Sequence, residues 1–338
     1  MSAQISEAVS FDDVLLVPKR SNIVTRADIS LEADIGTATS MKLPVFAAPM
    51  DTIMSNSMAR ALYSAGGRGV MHRYCSIDEQ MELVSGAGRE FECFAAVGVT
   101  GDYLERAVKL AEAGVAGVCV DVAHGHHITV MSAIQKIRSA LPNIHIMAGN
   151  VATIHGFEDL ADAGANSIRV GVGGGSICST RIQTGHGVPT LQSVMECAAS
   201  DRDCLIIADG GIKTSGDIVK ALAAGADAVM VGRMLAGTSE APGEVIQNPG
   251  SPPVKVYRGM ASPEAQIAWR GRYSSNEGVS RTVPLRGSAN EVLFELDKGI
   301  RSGLSYSGAR NISELWARAT FIRQSAAGAK ESSTHIDS

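Results

Sequence analysis

The chain lacks any apolar run of the roughly 18–20 residues a membrane-spanning helix needs, and its polar opening, Met1 to Phe11, has no signal-peptide apolar region. It lacks cysteines at C-x-x-C spacing: Cys75, Cys93, Cys119, Cys178, Cys197 and Cys204 are scattered, mostly inside apolar segments. That scatter argues against a zinc site or a disulfide framework and predicts free thiols in a reducing cytoplasm. It lacks an excess of positive charge, with 30 Lys and Arg against 35 Asp and Glu, so the basic patch of a nucleic-acid binder is not expected. No G-x-G-x-x-G follows the first strand-like run, and no repeat stands out beyond an alternation of short and long segments. What is present suits a soluble enzyme: 338 residues, 45% hydrophobic and 19% charged.

Short β-branched runs predict strands at Val45–Ala48, Gly69–His72, Phe94–Gly98, Gly117–Asp121, His145–Ala148, Ser167–Val170, Leu205–Ala208 and Ala228–Gly232. Amphipathic segments between them predict helices at Asp102–Ala113, Ile128–Ala140, His155–Ala163, Thr190–Ala199 and Ser215–Gly225. Evenly spaced alternating units favour a (β/α)8 barrel, an α/β fold, over an open doubly wound sheet. The expected organisation is one catalytic domain over residues 1–338. A long polar loop over 257–283 follows the last strand and reads as an active-site flap. The small, polar tail over 324–338 is expected to be flexible unless another segment captures it.

A barrel of this kind places its chemistry at the C-terminal ends of the strands. The unusual residues fall there: Ala48-Pro-Met-Asp-Thr52, Asp121 through His126, Gly149-Asn150, Asp209-Gly-Gly211 and Gly232-Arg233. Richest is Arg169-Val-Gly-Val-Gly-Gly-Gly-Ser-Ile-Cys-Ser-Thr-Arg181, where a four-glycine loop leads into a cysteine flanked by hydroxyls. Glycines at that density let backbone N–H groups approach an anion such as a phosphate. A thiolate beside such a loop is a nucleophile for a bound nucleotide. The plainer alternatives are a buried structural Cys178, Asp209 as a helix cap near Thr214, and Met50 as core packing.

These motifs, together with Ser10-Phe-Asp-Asp-Val-Leu-Leu16, Ala208-Asp-Gly-Gly-Ile212 and Tyr257-Arg-Gly-Met260, resemble the IMP dehydrogenase and GMP reductase family from Ser10 to about Arg323. The resemblance implies a covalent adduct between a cysteine and C2 of a purine nucleotide, with hydride transfer involving a nicotinamide cofactor. It makes Cys178 the nucleophile and Thr180 its helper. It gives Asp209 the ribose hydroxyls as a bidentate acceptor. Ser176, Gly211, Gly232 and Tyr257 cradle the nucleotide's 5′-phosphate, with Arg233 either adding a contact or pointing away, and Gly210 and Gly259 belong to the same substrate site. Met50 and Met260 line the base pocket, and Asp121 and Asn150 face the nicotinamide. The backbone carbonyls of Gly173, Gly175 and Cys178 resemble ligands of a monovalent cation, K+. A homotetramer is implied as well.

Within the family, the direct run from Met71-His-Arg-Tyr74 to Phe94-Ala-Ala-Val-Gly98 leaves no room for inserted regulatory modules, which resembles GMP reductase. So do Thr184-Gly-His-Gly187, Glu196-Cys197, Gly299-Ile-Arg-Ser302 and Ala319-Thr-Phe-Ile-Arg323. Glu277-Gly278 matches a reductase's catalytic glutamate, whereas Arg272-Tyr273 stands in the order a dehydrogenase uses to activate water. The expected function is NADPH-dependent reductive deamination of GMP to IMP and ammonia. The alternatives are NAD-dependent oxidation of IMP to XMP and a purine nucleotide-binding barrel without catalysis.

Overall fold

The structure is a computed structural model that describes residues 5–36 and 40–332. An N-terminal strand, β1 (Val14–Leu16), precedes eight strands that close into a parallel barrel: β2 (Val45–Ala47), β3 (Arg68–Met71), β4 (Phe94–Val97), β5 (Gly117–Asp121), β6 (His145–Val151), β7 (Ser167–Val170), β8 (Leu205–Asp209) and β9 (Ala228–Val231). β9 pairs back onto β2 in register Phe46↔Met230. Every expected strand is present. β6 runs to Val151 instead of stopping at Ala148, across a bulge between Gly149 and Val151. That bulge re-aims the strand end that carries Asn150.

The helices between strands are α1 (Asn56–Ser64), α2 (Ile77–Ala87), α3 (Tyr103–Ala113), α4 (Ile128–Ala140), α5 (Ile154–Asp162), the short α6 (Thr180–Thr184), α7 (Thr190–Cys197) and α8 (Ser215–Ala223). Side chains settle where several of them begin. Ser76 with Glu79, and Thr214 with Asp217, form reciprocal capping boxes at the starts of α2 and α8. The cap of α8 is thus Thr214, not Asp209.

Two cores result. One lies between strands and helices. The other fills the barrel with Phe46, Val70, Phe94, Cys119, Met147, Ile207 and Met230. Phe46 and Phe94 meet edge to face at 5.5 Å between centroids. Gly117 admits that ring, since a Cβ there would lie 2.4 Å from Phe94 Cε1.

After the barrel come β10 (Val254–Arg258), α9 (Pro263–Arg270), β11 (Ser280–Pro284), α10 (Ala289–Ser307), α11 (Ile312–Arg318), β12 (Phe321–Arg323) and α12 (Ala326–Glu331). The segment expected as a long loop over 257–283 is therefore largely ordered. β10 and β11 pair antiparallel from Val254↔Pro284 to Arg258↔Ser280, with α9 between them. The strand pattern of β10, which begins just before that segment, is masked because a lysine holds an inward position. Lys255 is buried, and its ammonium donates to the carbonyls of Thr238 at 3.0 Å and Ala241 at 2.7 Å. The start of the tail is captured too. β12 pairs with β1, and Gln324 donates its backbone N–H to Asp13 O at 2.9 Å. Residues 333–338 of the tail lie outside the described residues.

Candidate active site

The loop after β7 delivers Cys178. It meets the β10–β11 hairpin edge to edge: Ser179 N–H donates to Glu277 O at 2.9 Å, and Val279 N–H donates to Ile177 O at 3.0 Å. Gly259 and Gly278 permit this approach. A Cβ on Gly259 would stand 3.3 Å from Gly278 Cα, and one on Gly278 would stand 2.9 Å from Ser262 N. The consequence is a side-chain chain across the seam. The Cys178 thiol donates to Thr180 Oγ1 at 3.2 Å, and Thr180 Oγ1 donates to Glu277 Oε2 at 2.8 Å. Thr180 is buried and Glu277 half-buried, so a carboxylate hangs over a thiol through one hydroxyl.

The other cysteines are poor competitors. Burial pushes the thiols of Cys75, Cys93 and Cys119 up to about 11, and those of Cys197 and Cys204 up to about 12. Thiols held that high carry almost no thiolate near neutrality.

A second network crosses the barrel mouth. Arg169, on β7, is buried. Its Nη1 donates to Asp121 Oδ1 at 2.6 Å, and its Nε and Nη2 donate to Asp209 Oδ2 at 3.1 and 2.9 Å. Asn150 Nδ2 adds a bond to the same Asp209 Oδ2 at 2.8 Å and another to Gly171 O at 2.9 Å. Burial opposes ionisation of Asp121, but the Arg169 and Arg73 guanidiniums outweigh it and hold the carboxyl below the usual carboxylate range. Burial likewise opposes the charge on Arg169, and Asp209 and Asp121 more than restore it. Three N–H donors thus converge on Asp209 Oδ2. Asn150 Oδ1 is buried without a hydrogen-bond partner. Arg169 received no role from the sequence. Its signal was a charge inside the apolar run Ser167-Ile-Arg-Val170, which burial obliges to find partners.

The remaining residues form a cradle. Gly210 and Gly211 adopt φ +93° and +79°, and a Cβ on Gly210 would stand 3.1 Å from Gly175 N. Tyr257 is buried and hydrogen-bonded to Ser176; burial raises its phenol, and Arg233 is close enough for its charge to be felt there. Gly232 faces both Tyr257 and Met50: a Cβ there would stand 3.0 Å from the phenol oxygen and 3.3 Å from Met50 Sδ. Met260 Sδ accepts the Asp51 N–H at 3.4 Å. Behind it, Arg258 Nε donates to Asp51 Oδ2 at 3.0 Å, a pair the sequence did not single out. Arg272 and Tyr273 stand apart from this assembly. Both are exposed, Tyr273 by 58%, on the stretch between α9 and Glu277.

Among the described residues, no helix is long and apolar enough to cross a membrane, and no cluster of three His, Cys, Asp or Glu could hold a metal.

Residues 8–335 match the IMP dehydrogenase / GMP reductase domain. The chain is 33% identical to inosine-5′-monophosphate dehydrogenase of Nitrosopumilus maritimus, over 98% of this chain and 99% of that protein. It is 31% identical to GMP reductase of Leishmania major, over 98% and 97%. It also superimposes on a cysteine-to-alanine variant of GMP reductase from Trypanosoma brucei in complex with guanosine 5′-monophosphate, with a TM-score of 0.94, 29% identity and 99% of each chain covered. The first two alignments run over 471 and 479 positions, so both relatives carry a long segment with no counterpart here. Because one bears each name, the missing segment does not by itself separate reductase from dehydrogenase. With the family's domain matched over nearly its whole length, the chain belongs to the IMP dehydrogenase / GMP reductase family of oxidoreductases.

Proposed function

We propose that this protein catalyses the NADPH-dependent reductive deamination of GMP to IMP and ammonia. The observation that carries this reading is the Thr180–Glu277 hydrogen bond beside Cys178. Cys178 sulfur adds to C2 of the guanine, and the thiol proton is passed to the 2-amino group through Thr180 and Glu277. Ammonia leaves, and C2 remains bonded to sulfur. When bound, a reduced nicotinamide supplies a hydride for C2, after which the C–S bond breaks and the thiolate takes a proton from solvent. The sum is one hydride and one proton consumed per ammonia released. A proton relay of this kind is worth about 10²–10⁴ in rate.

The residues present fit the cofactor. The unpartnered Asn150 Oδ1 is an acceptor for a carboxamide N–H, beside Asp121. A cleft lined by Arg73, Gly98, Thr100, Val122 and Trp269 adjoins Asp121 and would take part of the cofactor beyond the carboxamide. Asp209 takes the ribose hydroxyls of the nucleotide. Ser176, Gly210, Gly211, Gly232 and Tyr257 take its phosphate, an assignment supported by the recurrent phosphate site after barrel strands seven and eight. Met50 and Met260 flank the base. The same reading gives a cytoplasmic homotetramer, checked by light scattering of the purified chain.

The dehydrogenase alternative needs Arg272 and Tyr273 to activate water at the adduct, and both face solvent here. Absorbance at the reduced-nicotinamide band tests the choice. Loss of absorbance with GMP and NADPH, with ammonia released, is the expected result. A rise only with IMP and NAD would transfer the chemistry to the dehydrogenase reading. Nucleotide binding with silence in both would favour a barrel without catalysis.

A further inference from the structure

Lys255 is a buried cation that the proposed chemistry does not use. Its ammonium donates to the carbonyls of Ala241 at 2.7 Å, Thr238 at 3.0 Å and Ser239 at 3.5 Å. All three belong to the connection between β9 and β10. Burying an ammonium is unfavourable unless hydrogen bonds offset it, and an apolar side chain of similar length would fill the space without that cost. What the three bonds achieve is a fixed separation between that connection and β10.

The carbonyls that Lys255 holds are themselves anchored. Ser55 Oγ, at the cap of α1, donates to Glu240 O at 2.6 Å, and Ala289 N–H, at the start of α10, donates to Glu240 Oε2 at 2.7 Å. Lys255 carries that anchor to β10. Tyr257 lies two residues further on, and strand alternation turns it to the same buried face. Its phenol is bonded to Ser176 and meets Gly232, where a Cβ would stand 3.0 Å from the phenol oxygen. β10 therefore holds the connection at two points, Gly232 through Tyr257 and residues 238–241 through Lys255. Between them the chain is bonded to itself. The N–H groups of Leu235 and Ala236 donate to Gly232 O at 3.0 and 3.2 Å, and that of Thr238 donates to Leu235 O at 3.4 Å.

We infer that Lys255 is a positioning residue for nucleotide binding: its ammonium locks β10 to residues 238–241, so that Tyr257 and Gly232 stand at their phosphate-binding separation before the nucleotide arrives. A cradle set in advance binds more tightly, because less ordering is charged against the ligand. Lysine suits the place because a compact ammonium on a flexible stem turns its three donors to carbonyls in different directions, which a planar guanidinium does not. The inference rests on the phosphate cradle given under Proposed function and is independent of the choice between reductase and dehydrogenase.

The test is calorimetric titration of the full-length protein with GMP and IMP and with their nucleosides, guanosine and inosine. The ratio of nucleotide to nucleoside affinity isolates the phosphate. In Lys255→Met that ratio should fall about tenfold, the weight of one charge-assisted hydrogen bond, while nucleoside affinity holds. Lys255→Arg, which keeps the charge and the donors, should recover part of it. Equal losses for nucleotide and nucleoside would make Lys255 a general stabiliser and overturn the inference, as would an unchanged ratio. Amide hydrogen exchange gives a second readout that needs no variant. Peptides covering 235–241 of the free wild type should exchange as slowly as those of β8, with no added protection when GMP binds. Fast exchange that only GMP slows would overturn the inference even if Lys255→Met fails to fold. A wild type that binds neither nucleotide better than its nucleoside would remove the phosphate cradle itself, and the inference with it, whatever the variants do.

Discussion

Thr180 Oγ1 lies 2.8 Å from Glu277 Oε2, joining the first turn after the Cys178 loop to a hairpin 97 residues further along the chain. If the two act as one relay, their losses do not add. Thr180→Val and Glu277→Gln should each lower kcat by about 10²–10⁴, and the double variant should be little worse than the poorer single one. Steady-state rates of the three proteins decide it. Multiplicative losses would mean that the two side chains work separately.

Cys178→Ala should abolish turnover while nucleotide binding persists, because the thiol bonds only to its neighbour Thr180 and supports no cradle residue. Calorimetric titration with GMP checks the second half. Substantial activity in this variant would remove covalent chemistry from the mechanism.

Arg169, itself buried, holds two partly buried carboxylates in one side chain. Arg169→Met should therefore leave Asp121 and Asp209 without their main counter-charge. Breaking a buried pair of this kind costs about 3–5 kcal/mol, visible in urea unfolding. Arg169→Lys should recover only part, since a single ammonium cannot repeat the fork to Asp209. Equal stability of Arg169→Met and wild type would show that water replaces the guanidinium freely.

Gly232→Ala pushes a methyl toward the Tyr257 phenol at 3.0 Å and Met50 Sδ at 3.3 Å. Overpacking of this order costs about 1–3 kcal/mol. The cost should appear chiefly as weaker nucleotide binding, because both displaced groups face the cradle. Comparison of GMP affinity with thermal midpoint separates a local effect from general destabilisation.

Two buried groups give stability opposing pH slopes. Burial lowers His145 to about 4, so it is neutral in the folded protein, and its contribution is lost as pH falls from about 6.5 toward 4. Burial raises Asp227 to about 6, so its contribution, present while it holds a proton, is lost as pH rises from about 4 to 6. The two partly cancel in that window. Asp227→Asn should leave the histidine slope alone and make stability climb more steeply from pH 4 to 6. Urea midpoints across that range measure it, and an unchanged slope would show that Asp227 titrates normally in the fold.

Much of this was legible residue by residue. The eight barrel strands could be read because a parallel strand buried on both faces is a short β-branched run, and α4 begins and ends where its amphipathic pattern does. The site residues at strand ends followed from the barrel itself. Other features resisted. β10 carries a lysine where an apolar residue would mark the buried face, and carbonyls of the connection from β9, those of Thr238 and Ala241 foremost, make that lysine tolerable.

The sequence by itself determined the periodicity that makes a barrel, the glycine loop, and which cysteine stands at its mouth, because these depend on near neighbours. Only the tertiary structure decided that Glu277 faces Thr180 while Arg272 and Tyr273 face solvent, and that Arg169 ties Asp121 to Asp209. The physical reason is distance along the chain. Side-chain direction and hydrogen-bond partners across the barrel mouth exist only after the sheet has closed, when burial forces each charge to find a partner.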